Sequence, residues 1–405
     1  MTSFDTSPQL NVWRALAALA VVFVMLATTG WTALRHQRET TALQTSRSEW
    51  EHGVLAGHRL PDPGSAPARL ARFFASLTAP QRTVLVHDYP LAVGNMNGAP
   101  VELRYRANRV ALLQQIRLER TRMHDNRLTP SGQQLAGRRM HRYESMTTAD
   151  RQILAFDPEG SGRVAEVFGS LDKAERISVV VPGVDTDLLT FQRTNRKYSA
   201  PVGMAQALWS AEREASPSTP TAVIAWADYT SPDGLGIDSA TAMRAESGAV
   251  RLNALLTALP GSAPVSMFCH SYGSVVCGVA AHAMPDRVAD IAVAGSPGMR
   301  VENAAQLDTD ARVWAMRDAD DWVQDVPHLE VGGLGHGEDP MAREFGARVL
   351  SAREAKGHGG YFEPGTDSLR NFARIGTGAY RSVECAHDDA ACTAGLSDTT
   401  EAGRA

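Results

Sequence analysis

The sequence predicts an α/β protein, with a mainly parallel sheet covered by helices on both faces. Two observations predict it. Short runs rich in β-branched and apolar residues recur through the second half of the chain, at 177–181 (ISVVV), 221–226 (TAVIAW), 265–268 (VSMF), 291–294 (IAVA), 313–316 (VWAM) and 348–351 (RVLS). Helical patterns alternate with them, as at 246–259 and 367–374, and such alternation marks crossover connections between parallel strands. At 405 residues the chain can hold one large domain of this kind with attachments.

The first 34 residues stand apart from that pattern. No charged residue occurs from Ala15 to Leu34, and the apolar heart is ALAALAVVFVMLA at 15–27. As a helix the run would span roughly 30 Å, about the thickness of a bilayer core. Trp13 and Trp31 bracket it, and Arg14 and Arg35 close its ends. A single-pass membrane anchor is the leading reading. A cleaved signal peptide comes second and a buried soluble helix third. Residues 35–67, with PDPGSAP at 61–67, read as a juxtamembrane linker.

From 68 to 155 the pattern is helical. Leu70, Phe73, Phe74 and Leu77 share one face, and Val110, Leu112, Leu113, Ile116 and Leu118 mark another helix. Between them the stretch 93–100 (VGNMNGAP) reads as a fixed turn. The α/β domain is expected over 156–378, with a flexible tail over 379–405.

Hydrophobic residues make up 43% of the chain and charged residues 21%, as in an ordinary globular protein. The net charge of −5, with no accompanying motif, argues against nucleic acid as a partner. Four cysteines are too few for a disulfide scaffold. Cys269 and Cys277 lie in apolar sequence and read as buried free thiols. Cys385 and Cys392 flank a short polar loop. They could form a small disulfide in an oxidising compartment or remain free, and spacing does not decide between these. A bridge there would favour a catalytic domain outside the cytoplasm. No Cys/His spacing reads as a metal site, and no P-loop or G-x-G-x-x-G suggests a cofactor.

The chemistry centres on Ser271. An apolar strand runs into Cys269-His270-Ser271-Tyr272-Gly273, and an apolar helix follows. A serine hydroxyl needs an adjacent base, and the base needs an orienting acid. A sharp strand-to-helix turn with small flanking residues exposes the serine, as in α/β-hydrolases. Here the turn is G-x-S-x-G with Cys269 in place of the first glycine. The fold's chain order is serine, acid, histidine. The loop after the 313–316 run offers Asp321, then Asp320 and Asp318 as alternatives. After the last strand comes His358, whose rival His336 precedes that strand. Backbone N–H groups of Tyr272 and Val184 are the expected oxyanion donors. Asp185 and Asp187 beside Val184 either fix that loop or cap the next helix.

Several segments together resemble the α/β-hydrolase family called domain of unknown function 1023. They are VGNMNGAP at 93–100 with Arg106, Ala107 and Asn108, VVVPGVDTDL at 179–188, HSYGS at 270–274, GLGHGEDP at 333–340, GHGGYF at 357–362 and SLRNFARIGTG at 368–378. The resemblance covers most of 68–378. It implies an α/β-hydrolase fold with Ser271, Asp321 and His358 as the triad, and it implies no particular substrate. The expectation is a serine hydrolase acting on an ester or related acyl bond of a small-molecule or lipid-like substrate, without a cofactor. The alternative is a membrane-tethered, non-catalytic binding module on the same fold. Oligomeric state is not legible in the sequence.

Overall fold

The computed structural model describes residues 41–386 and 390–398. The expected anchor at 1–34 lies outside the described residues, as do 35–40 of the expected linker. Among the described residues no helix is long and apolar enough to cross a membrane.

The described residues open with α1 (Ala42–Glu51) and a hairpin of β1 (Val54–Leu55) and β2 (His58–Arg59). Then come α2 (Pro67–Ser76), α3 (Ala79–Asp88), α4 (Pro90–Gly94), α5 (Val101–Arg122) and α6 (Pro130–Ser145). The sheet region follows with β3 (Gln152–Asp157), β4 (Arg163–Gly169), β5 (Arg176–Val181), α7 (Pro201–Ala215), β6 (Thr221–Ala227), α8 (Ile237–Ala240) and α9 (Met243–Ala258). It continues with β7 (Val265–His270), α10 (Gly273–Ala280), β8 (Val288–Ala294), β9 (Arg312–Met316), a hairpin of β10 (Glu330–Val331) and β11 (Leu334–Gly335), β12 (Arg348–Val349) and α11 (Asp367–Thr377).

Eight strands form one sheet in the order β12-β9-β8-β7-β5-β6-β4-β3. The strands from β12 to β6 are parallel to their neighbours, while β4 pairs antiparallel with both β6 and β3. The six runs picked out in the sequence all contribute strands. The antiparallel edge differs from expectation, because β3 begins inside the region read as helical. One face of the sheet packs against apolar residues of α5, α6, α7 and α11, such as Leu112, Tyr143, Leu208 and Phe372. The other packs against α9 and α10 through Leu252, Leu256, Val275 and Val276.

The predicted linker is a correction. From residue 41 on it is folded. Thr41 and Gln44 form a capping box at the start of α1. Trp50 is fully buried, its ring against Phe73, Phe74 and Tyr89, and its indole N–H donates to the Pro61 carbonyl at 2.7 Å. One large aromatic anchors a segment whose composition is otherwise polar, so apolar periodicity fails to report it. The tail is a second correction. Tyr380 is buried, Cys385 and Cys392 are disulfide-bonded, and Arg348 donates to the Cys392 carbonyl at 2.8 Å. The first part of the tail therefore packs beside β12.

The VGNMNGAP turn joins the helical layer to the sheet. Asn95 exchanges hydrogen bonds with the backbone of Phe156, donating to its carbonyl at 2.8 Å and accepting from its N–H at 3.0 Å. Asn108 donates to Ile153 at 2.9 Å and Gly94 at 3.1 Å. Gly98 has φ +98°, and a Cβ there would lie 2.3 Å from the Pro67 carbonyl oxygen. The helical layer thus packs on the β3 edge, away from the strand ends that carry the serine.

Glu212 of α7 is fully buried, and its carboxyl accepts from the Ser178 hydroxyl of β5. Burial pushes its pKa from 4.5 up to about 7. The folded protein therefore keeps a proton that the unfolded chain has released between these values. Stability is full at low pH and falls as pH rises through that window. Glu212→Gln is expected to improve stability at pH 8 relative to its effect at pH 4 by on the order of 3 kcal/mol. Urea unfolding at both pH values checks this, and an equal effect at both would contradict it.

Candidate active site

Strand β7 ends at His270, and the chain reverses through Ser271 into α10. Ser271 has φ +56°, a left-handed conformation that a non-glycine residue adopts at a cost. That twist lifts the side chain clear of the sheet. Close backbone approach explains the neighbouring glycines. A Cβ on Gly273 would lie 2.3 Å from the Val181 carbonyl oxygen, and one on Gly183 would lie 2.6 Å from Ser271 Cβ.

The reading of Cys269 and Cys277 as free thiols is corrected. They form a disulfide, with Cα atoms 6.5 Å apart. Residue 269 is the penultimate residue of β7 and residue 277 lies on α10, so the reversal at Ser271 brings them face to face. Cys269 fits the usual glycine position because its side chain is committed to the helix that follows.

Ser271, His358 and Asp321 form one hydrogen-bonded chain. Ser271 Oγ lies 2.8 Å from His358 Nε2. His358 Nδ1 lies 2.9 and 3.0 Å from the two oxygens of Asp321. Asp321 is fully buried. Its carboxylate also accepts from the Tyr361 hydroxyl and from the Val323 N–H at 2.9 Å. Burial pushes its pKa up, but the hydrogen bond and charge of His358, with Tyr361 and Val323, outweigh burial and hold it below the usual carboxylate range. It is ionised at neutral pH.

The geometry separates the three candidate acids. Asp318 accepts from the Gly357 N–H at 2.7 Å and the Asp320 N–H at 3.3 Å, which joins the acid loop to the histidine loop. Asp320 is exposed. Only Asp321 meets the imidazole. His336 lies across the cleft, where its Nε2 donates to the Ser239 carbonyl at 2.6 Å and its ring stands edge-on to Tyr272.

Val184 and Tyr272 line the same cleft as Ser271. Among the described residues no acceptor takes the backbone N–H of either. Asp185, at φ +56°, fixes the Val184 loop: its N–H donates to Pro232 at 2.9 Å and its carboxylate accepts from Gly234 at 2.8 Å. Asp187 accepts from the Thr190 N–H at 2.7 Å, closing the next turn.

Four supporting residues escaped the sequence reading. Besides Tyr361 there is His270, whose Nε2 donates to the His358 carbonyl at 2.6 Å. Burial pushes the His270 pKa down to about 3, with the neighbouring His358 adding to the effect, so it stays neutral. Gly295, at φ +54°, passes so near that a Cβ would lie 2.6 Å from Asp321 Oδ2. Trp322 lies beside the His358 ring, with centroids 4.8 Å apart. Position in the motif gave a signal for His270, which sits directly before the serine. No local pattern marks the others.

The cleft at Ser271 has a volume of about 560 Å³. Among the described residues no cluster of three or more His, Cys, Asp or Glu is arranged to hold a metal ion.

A family model described as alpha/beta hydrolase matches residues 157–331. An uncharacterized protein of Mycobacterium tuberculosis is 26% identical over 395 residues, covering 84% of this chain and 58% of its own length. An uncharacterized protein of Mycobacterium bovis is 34% identical over 145 residues, covering 34% of this chain and 53% of its own. The chain thus spans less than two thirds of the length of these curated relatives. Solved structures with similarity include a predicted CIB-like hydrolase from Thermoplasma acidophilum, at TM-score 0.35 and 17% identity, covering 56% of this chain and 94% of that one. A dienelactone hydrolase from Anabaena variabilis gives TM-score 0.29 and 17% identity, covering 44% of this chain and 78% of that one. Residues 157–331, which carry the strands around the serine turn, are thus similar to the alpha/beta hydrolase family, and Ser271 in that turn has φ +56°.

Proposed function

We propose that the protein is a serine hydrolase that cleaves an ester or related acyl bond. The observation that carries this reading is the unbroken hydrogen-bonded chain from Ser271 Oγ through His358 to a buried, ionised Asp321. A non-catalytic binding module would have no need to keep an acid, a base and a hydroxyl in that order.

Ser271 Oγ bonds to the substrate's carbonyl carbon while its proton passes to His358 Nε2. Negative charge on the carbonyl oxygen is met by the N–H groups of Val184 and Tyr272. Collapse breaks the bond to the leaving alcohol, which takes the proton from His358. Water then attacks the acyl-enzyme, gives a proton to His358, and Ser271 leaves with that proton as the acid is released. Asp321 orients the imidazole and stabilises its protonated form throughout. The two disulfides support an oxidising compartment for this domain, which agrees with an extracytoplasmic location.

Treatment of the purified protein with a fluorophosphonate, followed by peptide mass spectrometry, tests the proposal. The expected result is one adduct, on the peptide carrying Ser271. An adduct elsewhere, or none, sinks the reading.

A further inference from the structure

The cleft at Ser271 carries information about the substrate. Its walls hold Val184, Pro297, Val323, Val326 and Pro327, and no Asp, Glu, Lys or Arg side chain lines it. Most polar groups of the lining are already engaged within the protein. The Tyr272 hydroxyl donates to the Thr241 carbonyl at 2.8 Å, the Ser239 hydroxyl to Gly236 at 2.8 Å, and His336 Nε2 to Ser239. Burial holds His336 below its ordinary pKa, so it brings no charge at neutral pH.

The outer wall is apolar and open to solvent. The β10–β11 hairpin and its approach contribute Leu329, Val331 and Leu334, at 51%, 69% and 53% exposed. Leu235, just before α8, is 73% exposed, and Trp322 is 42% exposed. Five large hydrophobic side chains facing one cleft form a contiguous apolar surface, which marks a ligand site more often than chance exposure. The wall is braced in this open form. Thr241 pairs with Leu334 across the two segments, and Arg300 donates to the Gly335 carbonyl at 2.6 Å and to Glu330 at 2.7 Å. A preformed trough lowers the ordering cost of binding.

Three further clefts carry charged linings: one of about 680 Å³ between α7 and α11 with Lys197, Glu214, Arg370 and Arg374, one of about 580 Å³ with Arg47, Glu51 and Asp62, and one of about 570 Å³ with Arg142, Arg193 and Arg196. An uncharged apolar ligand is therefore matched better by the trough at Ser271 than by these clefts.

We propose that the acyl portion of the substrate is an aliphatic chain of medium to long length. It lies along the trough between the β10–β11 hairpin and the segment before α8, with Leu235, Val331 and Leu334 setting chain-length specificity. This rests on Ser271 being the nucleophile. Two measurements test it on the wild type and a Leu235→Ser/Val331→Ser variant. Both residues are exposed, so their replacement spares the core. The first is kcat/KM over p-nitrophenyl esters from acetate to decanoate. It is expected to rise about threefold to fourfold per methylene over part of the series, and the decanoate-to-acetate ratio should fall about tenfold in the variant. The second is calorimetric binding of octan-1-ol, which needs no reaction. Octan-1-ol should bind the wild type and lose at least about tenfold in affinity in the variant. Absent octan-1-ol binding, or equal binding by both proteins, overturns the inference. A fluorophosphonate adduct on Ser271 with a flat or falling chain-length profile also overturns it, while leaving the serine-hydrolase reading intact. No adduct on Ser271 removes that reading itself, and with it the acyl assignment.

Discussion

Ser271→Ala is expected to lower kcat/KM for a p-nitrophenyl ester by about 10⁴-fold to 10⁶-fold. The size follows from what the hydroxyl does. Without Oγ no covalent intermediate forms, and only positioning and the Val184 and Tyr272 N–H groups are left to assist water. The fold should tolerate the change. Alanine keeps the Cβ that sits against Gly183, and the lost oxygen's bond goes to His358, itself partly open to solvent. The backbone of residue 271 also donates to the Ala294 carbonyl at 3.0 Å, a bond that alanine keeps. A melting temperature within a few degrees of wild type, measured beside the kinetics, would separate lost chemistry from lost structure. Residual activity within tenfold of wild type would mean that another group attacks the substrate.

Much of this arrangement was legible in the sequence, and the parts that were not have physical reasons. The parallel strands announce themselves because both faces are buried, so β5, β7, β8 and β9 each carry a mostly apolar run of four or five residues. The antiparallel strands β3 and β4 do not. They carry Asp157, Arg163 and Glu166, whose charges look like loop residues until their partners are known. Arg163 pairs with Asp157, and Arg151 pairs with Glu166. Chain order pointed to Ser271, to His358 ahead of His336, and to three neighbouring acids of which Asp321 was preferred, because serine, acid and histidine follow one another along this fold. The supports of the site come from longer range. Tyr361 meets Asp321 across 40 residues, and Gly295 reaches it across another loop. The Cys269–Cys277 bridge was hidden by its setting, since a cysteine in an apolar strand and one in an apolar helix look inert separately. Only the reversal at Ser271 makes them neighbours.

Asp321→Asn is expected to lower kcat by about 10³-fold to 10⁴-fold with the protein still folded. The carboxylate accepts three hydrogen bonds, from His358, Tyr361 and the Val323 N–H. Val323 and Tyr361 donate to different oxygens of the carboxylate, so an asparagine oxygen that keeps the Val323 bond puts the amide nitrogen beside the Tyr361 hydroxyl and His358 Nδ1 as a donor. That arrangement favours the tautomer protonated at Nε2, and such an imidazole presents an N–H to Ser271 and cannot take its proton. Loss of the negative charge also leaves the protonated imidazole of the transition state unsupported. The neighbouring acids give the controls. Asp320→Asn changes an exposed residue and should leave kcat within about twofold. Asp318→Asn loosens the bonds to Gly357 and Asp320, so its effect should appear first in thermal stability and only secondarily in kcat. Stopped-flow or steady-state kinetics on the three variants distinguishes them. If Asp320→Asn or Asp318→Asn matched the loss in Asp321→Asn without unfolding, the hydrogen-bonded carboxylate beside His358 would not be the acid that orients the base.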